Sequence, residues 1–115
     1  MKSLTVSGFA DACGLTVLTP GEEDRAVTGG YCGDLLSWVM GRAQAGDAWF
    51  TVMGNVNAIA VATLADAACI VLTEASPLDD EAAAKARQQG VAVLQSEQNA
   101  YQLAVALHAL LDPKE

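Results

Sequence analysis

Residues 48–73 read AWFTVMGNVNAIAVATLADAACIVLT, and this stretch indicates the fold. Residues 49–53 and 69–73 are short apolar runs of the kind found in parallel strands buried on both faces. The segment between them predicts a helix that Asn55 or Asn57 caps. Its predicted buried side consists of apolar positions at helical spacing: Ile59, Ala60, Leu64 and Ala65.

The same alternation continues toward the C-terminus. Asp79 or Asp80 caps an alanine-rich helix that Gly90 ends, and residues 91–94 predict a third strand. Asn99 caps a last helix with a single apolar stripe. The stripe consists of Ala100, Leu103, Ala104, Leu107, Leu110 and Leu111. Strands and helices in alternation predict an α/β fold, a single domain over residues 1–115 with a mostly parallel sheet flanked by helices.

The first half of the chain is less regular. Residues 5–12 predict a short helix and residues 15–19 a strand. Residues 26–32 predict a second strand, in which the glycine pair indicates a bulge or a close backbone approach. Asp34 is expected to cap the helix that follows, and Gly46 to end it.

Composition excludes several classes of partner. The chain has 115 residues with 14 acidic and 6 basic side chains, a net charge of −8. Nucleic acids and anionic membrane surfaces are bound mainly through Lys and Arg, so neither is expected as a partner. No apolar run is long enough to span a membrane, and the N-terminus lacks the apolar core of a secretory signal.

The three cysteines are too few and too widely spaced for a disulfide framework or a zinc site. We therefore expect a reduced, cytoplasmic protein in which they act as small apolar residues. Cys32 lies near a predicted helix start, which can lower the pKa of a thiol, but Asp34 opposes this, and burial of Cys32 is expected.

Gly29, Gly30, Gly33 and Asp34 form a glycine-rich segment that opens a helix. Glycine backbones and helix N-termini bind anions, so these residues are a candidate ligand site. No lysine lies nearby and Asp34 would repel a phosphate, so a neutral or cationic group, or the backbone of a partner, suits the segment better. The alternative is that these positions need small residues for packing.

A second candidate site follows the predicted strands. Asn55 and Asn57 come after the first strand of the opening stretch, and Thr73 and Glu74 come after the second. Ligands gather at the carboxyl ends of parallel strands, so these residues would form a binding edge if their strands are neighbours. Such residues are equally the ordinary caps and turns of loops. Further members of the set are Ser76, Gln95 and Ser96.

No catalytic residue, metal site or cofactor is predicted. His108 is the only histidine, on the flank of the last helix, and has no second ligand or nucleophile near it. Acid–base chemistry would have to come from Asp34, Glu74 or Asp66, which have no evident common pocket. Trp38 and Trp49 are expected as core anchors, with Trp38 also a candidate for an interface.

Residues 24–40, DRAVTGGYCGDLLSWVM, resemble the DRTGG domain family, although Asp24-Arg25 and Thr28-Gly29-Gly30 are separated here. The similarity continues through residues 48–52 and 55–62 and, in element order, to the C-terminus. It implies an α/β domain similar to the N-terminal domain of HPr kinase/phosphorylase. Related domains lie between CBS modules in some inorganic pyrophosphatases and beside phosphotransacetylases, where the chemistry belongs to the neighbouring domain.

The resemblance and the lack of a catalytic set favour a non-catalytic regulatory domain that senses a small metabolite or nucleotide. A homodimer is expected, because a small apolar chain leaves surface that a partner can cover. The alternative is a protein-interaction accessory that docks on a larger enzyme, either a hydrogenase-like redox complex or a phosphotransfer enzyme.

Overall fold

The computed structural model describes residues 3–112, which form five helices and five strands. In chain order the elements are α1 (Val6–Cys13), β1 (Thr16–Thr19), β2 (Gly29–Cys32), α2 (Leu36–Arg42), β3 (Asp47–Thr51), α3 (Val56–Ala65), β4 (Cys69–Leu72), α4 (Asp80–Gln89), β5 (Val93–Gln95) and α5 (Ala100–Leu111). None of the helices within this range is long and apolar enough to cross a membrane.

The strands form one sheet in the order β1-β5-β4-β3-β2. Strands β2 to β5 are parallel, and β1 pairs antiparallel with β5 at one edge. The predicted α/β fold with a mostly parallel sheet is therefore confirmed.

Two helical layers cover the sheet. From β2 to β5 the chain moves one strand at a time in the same direction, so right-handed crossovers place α2, α3 and α4 on one face. Trp49 and Ile59 are fully buried in that layer. After β5 the chain changes face, and α5 packs with α1 on the other side, around Phe9 and Phe50.

Some predicted positions differ from the structure. The first strand of the opening stretch spans residues 47–51 and not 49–53, and β2 is shorter than the predicted strand over 26–32. In α3 the predicted buried face is wrong in part, because Ala60 is exposed and 70% of Leu64 is exposed. Nearly every position of α3 is apolar, so the sequence contains no polar stripe that marks the outside.

Asp34 does not cap α2. Leu35 occupies the N-cap position without a side-chain hydrogen bond, while Asp34 bonds to the neighbouring strand. The register between β2 and β3 is regular, so the glycine pair makes no bulge. The predicted close approach is present instead: a Cβ on Gly30 would lie 3.1 Å from Leu107 Cδ2.

Two predictions of burial are also wrong. Cys32 is exposed at the edge of the sheet. Trp38 is 51% exposed, and the Arg42 guanidinium stacks 3.6 Å from the centre of its ring. Trp49 is the core anchor that was expected, and its indole N–H donates to the Gly33 carbonyl at 2.8 Å.

Candidate functional site

The carboxyl ends of β2, β3, β4 and β5 lie along one edge of the sheet, here called the carboxyl rim. It consists of the loops that follow these four strands, residues 33–35, 52–55, 73–79 and 96–99. Since β3, β4 and β5 are neighbours, the polar residues that follow them lie on one edge, as the sequence predicted for adjacent strands. Their hydrogen bonds show how each one is used.

Asp34 joins the first two loops of the rim. Its Oδ1 accepts hydrogen bonds from Thr51 Oγ1 at 2.7 Å and from the Val52 N–H at 2.9 Å. Because Thr51 ends β3, the carboxylate fixes the loop after β2 to the end of the next strand. Gly33 adds a backbone bond of 3.1 Å to the Phe50 carbonyl.

Gly54 joins the loop after β3 to the loop after β4. Its carbonyl accepts from the Asp79 N–H at 2.8 Å. The two loops lie so close that a Cβ at position 54 would clash with the Pro77 carbonyl oxygen. Asn55 is the N-cap of α3, and its side-chain oxygen accepts a hydrogen bond from the Ala58 N–H at 2.9 Å. Of the two predicted caps, Asn55 and Asn57, it is therefore Asn55 that caps the helix.

The loops after β4 and β5 are joined by backbone bonds. Glu74 and Ala75 are both left-handed, with φ of 56° and 57°, and their N–H groups donate to the Gln98 and Ser96 carbonyls at 2.9 and 2.7 Å. Gln95 Nε2 adds a bond of 2.9 Å to the Ser76 carbonyl. Thr73 is buried beneath this loop.

This junction is the topological switch point of the fold, since β4 leads to one face of the sheet and β5 to the other. Switch points commonly open into a ligand crevice. Here the two loops hydrogen-bond to each other across it. In the part of the chain that the structure describes, no buried side-chain polar atom lacks a hydrogen-bond partner. The rim residues act first as ties between loops.

Two surface depressions contain residues of the predicted sites. The α3–α4 groove has a volume of about 730 Å³, and the β2–α5 crevice has a volume of about 390 Å³. Asn57 lines the groove, and Gly29 and Gly30 line the crevice, whereas Asp34 and Glu74 line neither. The α3–α4 groove is lined by Val56, Asn57, Ala60, Glu81, Ala84, Lys85 and Gln88.

The groove was not predicted from sequence. Two small exposed residues, Ala60 on α3 and Ala84 on α4, leave the space between the helices open. A weak signal was present in α3, where the exposed positions include the apolar Ala60 and Leu64 beside the polar Asn57 and Thr63. The sequence does not show which helix lies beside α3, and so the groove depends on the tertiary fold.

The carboxylates considered for catalysis do not converge. Asp34 and Glu74 lie on the carboxyl rim, at the ends of strands that β3 separates. Asp66 ends α3 at the opposite edge of the sheet and pairs with Arg25 at 2.8 Å. Residues 3–112 contain no group of three His, Cys, Asp or Glu side chains placed to hold a metal ion. His108 is on the surface of α5, and its Nε2 lies 4.0 Å from Asp112 Oδ2.

The thiols are not activated. Burial raises the pKa of Cys69 to about 12. The pKa of Cys32 is also raised, first by partial burial and then by the negative charge of Asp34. A thiolate at either position is disfavoured at neutral pH.

The fold and the rim define a small open-sheet α/β domain without a convergent catalytic set among its described residues. The family model of the DRTGG domain matches residues 32–110, and the chain belongs to this family. The matched span begins after the Asp24–Gly30 segment.

A solved structure with the same fold is the regulatory region of Clostridium perfringens pyrophosphatase, comprising CBS and DRTGG domains in complex with the activator diadenosine tetraphosphate. The TM-score is 0.72 at 10% identity, over 89% of this chain and 45% of that one. The chain thus spans about half the length of that protein's regulatory region. No curated protein gave a significant match.

Proposed function

We propose that this chain is a non-catalytic regulatory domain that senses a small ligand and works as a homo-oligomer in the cytoplasm. The observation that carries the proposal is the α3–α4 groove, a concave site in a domain whose rim is closed by its own hydrogen bonds. Ligand pockets in proteins have volumes of about 300–1,000 Å³ and combine apolar walls with a few polar groups.

The groove offers that combination. Ala60 and Ala84 supply apolar surface, while Asn57 and Gln88 supply amide donors and acceptors. Lys85 is free to meet a ligand anion, since it makes no ion pair within residues 3–112. A nucleoside with one phosphate suits this lining: a base on the alanines, hydrogen bonds to the amides and the phosphate at Lys85, whereas the Glu81 carboxylate disfavours further phosphates.

The neighbouring structure supports a regulatory role. That regulatory region binds a dinucleoside polyphosphate as an activator, and it contains a domain of this fold. The low sequence identity carries no site from one protein to the other. The ligand class proposed for this chain therefore rests on the groove, with the neighbour as support for a regulatory role.

The predicted ligand role of the rim and glycine residues remains a proposal beside the groove. Asn57 belongs to both sets. The other members are Gly29, Gly30, Gly33, Asp34, Asn55, Thr73 and Glu74. Asp34 and Asn55 would have to exchange an existing hydrogen bond for one to a ligand.

A thermal-shift titration with adenosine, adenosine monophosphate and diadenosine tetraphosphate tests the proposal. Binding to the native state alone raises the unfolding temperature by mass action. We expect a saturable rise that Ala84→Trp abolishes by filling the groove. Ala12→Trp, at an exposed position of α1 in the opposite layer, should leave it unchanged.

A rise that survives Ala84→Trp but is lost in Asp34→Ala would move the site to the rim. No rise with any of the three probes would count against nucleotide sensing. Either result leaves the oligomeric state to be measured separately.

A second candidate function is that of an accessory that docks on a larger enzyme. It is favoured by α2 and its N-cap, where Leu35, Trp38 and Met40 are each about half exposed. Large exposed apolar side chains on one short helix are typical of an interaction surface. Co-elution with a larger complex that Trp38→Ala disrupts, together with a flat ligand screen, would favour this candidate.

A further inference from the structure

The two edges of the sheet differ in how they are protected. At the β1 edge the register shifts between Val17 and Thr19, and Pro20 follows directly. Bulges and prolines prevent a further strand from adding to an edge. The β2 edge, Gly29–Cys32, has a regular register and contains no proline or charge.

The backbone of β2 leaves hydrogen-bonding groups facing outward. The Gly33 N–H donates to the Phe50 carbonyl of β3, and alternate residues of a strand point to opposite sides. The backbone polar groups of Gly29 and Tyr31 therefore point toward β3. The N–H and C=O groups of Gly30 and Cys32 point away from the sheet. Since β2 is the last strand in the order, no strand lies on that side within residues 3–112.

The surface beside this edge is apolar. The β2–α5 crevice opens along the strand; Ala104 and Leu111 are its partly exposed apolar lining, over the buried Phe50 and Leu107, and Thr28 and His108 add polar groups. Tyr101 and Val105 stand one turn from crevice residues along α5, and they are 77% and 52% exposed. We call these two residues, with Ala104 and His108, the α5 flank.

The same surface is almost free of charge. Residues 100–111 contain no Asp, Glu, Lys or Arg, and neither do residues 26–33, in a chain with a net charge of −8. Two copies of an acidic chain repel each other over most of their surface. The β2 edge and the α5 flank are where they can approach without that cost.

We propose that the β2 edge pairs with β2 of a second copy of this chain, antiparallel about a two-fold axis, which joins the two sheets into one. The proposal rests on the homo-oligomeric part of the proposed function and gives its interface. The outward groups fix the register. Gly30 of each copy forms a hydrogen-bonded pair with Cys32 of the other, and the two Tyr31 residues lie opposite each other between these pairs.

A second copy fits this edge better than a foreign segment. The pattern of outward groups is its own complement, since Gly30 and Cys32 lie symmetrically about Tyr31. Pairing about a two-fold axis uses the β2 edge of both copies. The assembly then stops at a dimer, because the β1 edge, with its register shift and Pro20, cannot pair with a further strand. With strands about 4.8 Å apart and packed helices 8–10 Å apart, the same rotation brings the two α5 flanks together.

The test is the solution mass of the full chain at micromolar concentration, measured by light scattering and sedimentation. We expect about twice the 11.9 kDa chain mass. Cys32→Pro removes an outward N–H without touching the bonds to β3, and should give the monomer, whereas Cys32→Ser keeps the N–H and should stay dimeric. Circular dichroism and thermal unfolding verify that both variants fold.

A second variant pair does not depend on the strand. Tyr101→Glu places a charge on the α5 flank and should also give the monomer, while Leu64→Glu, equally exposed on α3, should not. In the proposed register the two Cys32 Cα atoms lie roughly 9 Å apart, too far for a disulfide but within reach of a short thiol cross-linker. In a Cys13→Ser chain we expect cross-linked dimer with the reagent and none by oxidation alone.

A monomer mass for the unaltered chain would overturn both the proposed interface and the homo-oligomeric state. A dimer that persists in both Cys32→Pro and Tyr101→Glu would overturn the interface alone. Neither result bears on ligand binding, which the groove variants test separately.

Discussion

Gly30 of β2 lies directly beneath Leu107 of α5, so close that a Cβ on residue 30 would lie 3.1 Å from Leu107 Cδ2 and 3.2 Å from a ring carbon of Phe50. Because residue 30 has no side chain, α5 can pack closely against β2 near the edge of the sheet. Packing therefore accounts for a residue that was also a candidate for ligand binding.

The residues just before Gly30 have structural roles as well. Asp24 accepts bonds from the Ser7 N–H at 2.9 Å and the Ser7 hydroxyl at 2.6 Å, and so stabilises the start of α1. Arg25 bonds to Asp66 and to the Ala67 carbonyl at the end of α3. The segment that resembles the family motif thus hydrogen-bonds to α1 and to the end of α3, and its Gly30 leaves space for α5 to pack.

Gly30→Ala should lower the free energy of unfolding by about 1–3 kcal/mol, because the added methyl overpacks the contact between β2 and α5. Gly41→Ala is the matched control, since its Cβ would meet nothing within 4 Å and the residue lies inside α2. That change should stabilise the chain by about 1 kcal/mol through helix propensity. Urea unfolding of both variants measures the difference, and equal effects would contradict the packing role.

Asp34→Ala should loosen the rim between β2 and β3. Both hydrogen bonds to the carboxylate are lost, at a cost of about 1 kcal/mol for a partly exposed acceptor. Amide hydrogen exchange gives the local readout, since the Val52 N–H should lose protection. Asp11→Ala, at an exposed carboxylate of α1, should leave that amide unchanged. Unchanged protection of Val52 in Asp34→Ala would show that the tie is not formed in solution.

The fold could be predicted from local pattern because the buried strands differ sharply from the helices between them. Cys69–Leu72 is fully buried and apolar, and Asn99 caps α5 with a complete capping box to Gln102. Signals of this kind are contained within a few residues. The parallel order of the strands then follows from right-handed crossovers.

The site could be predicted only in part. Polar residues after the strands do lie on one edge, but what they contact depends on loops that are distant in sequence. Glu74 bonds to Gln98, and Gly54 bonds to Asp79, and neither pairing has a local signature. The exposed side of α3 was mistaken for the same reason, because Leu64 is as apolar as the buried Ile59 and only the neighbouring helix distinguishes them.

Acidification should weaken the start of α1. The bonds from Ser7 lower the pKa of Asp24 below its ordinary value of 3.8, chiefly through the hydroxyl. A carboxyl whose folded pKa is lowered stabilises the fold above its ordinary pKa, and this stabilisation is lost as the pH falls through the lowered value.

Ser7→Ala should therefore raise the pKa of Asp24, measured from the pH dependence of its side-chain carboxyl carbon by NMR. Ser37→Ala, on the exposed side of α2, should not change it. If Asp24 titrates at the same pH in the unaltered chain and in Ser7→Ala, the hydroxyl bond is not formed in solution.

Ala75→Gly should stabilise the chain, although glycine usually does the opposite. Ala75 has a φ of 57°, where an L-residue costs about 1–2 kcal/mol, and its N–H bond to Ser96 is kept by glycine. The greater freedom of glycine in the unfolded chain offsets roughly 0.5–1 kcal/mol of that gain, which leaves a net increase of about 0.5 kcal/mol. The same substitution at Ala84, an exposed position inside α4, should destabilise by about 1 kcal/mol. Opposite signs in urea unfolding are expected, and a loss of stability in Ala75→Gly would mean that the loop after β4 does not hold its left-handed form.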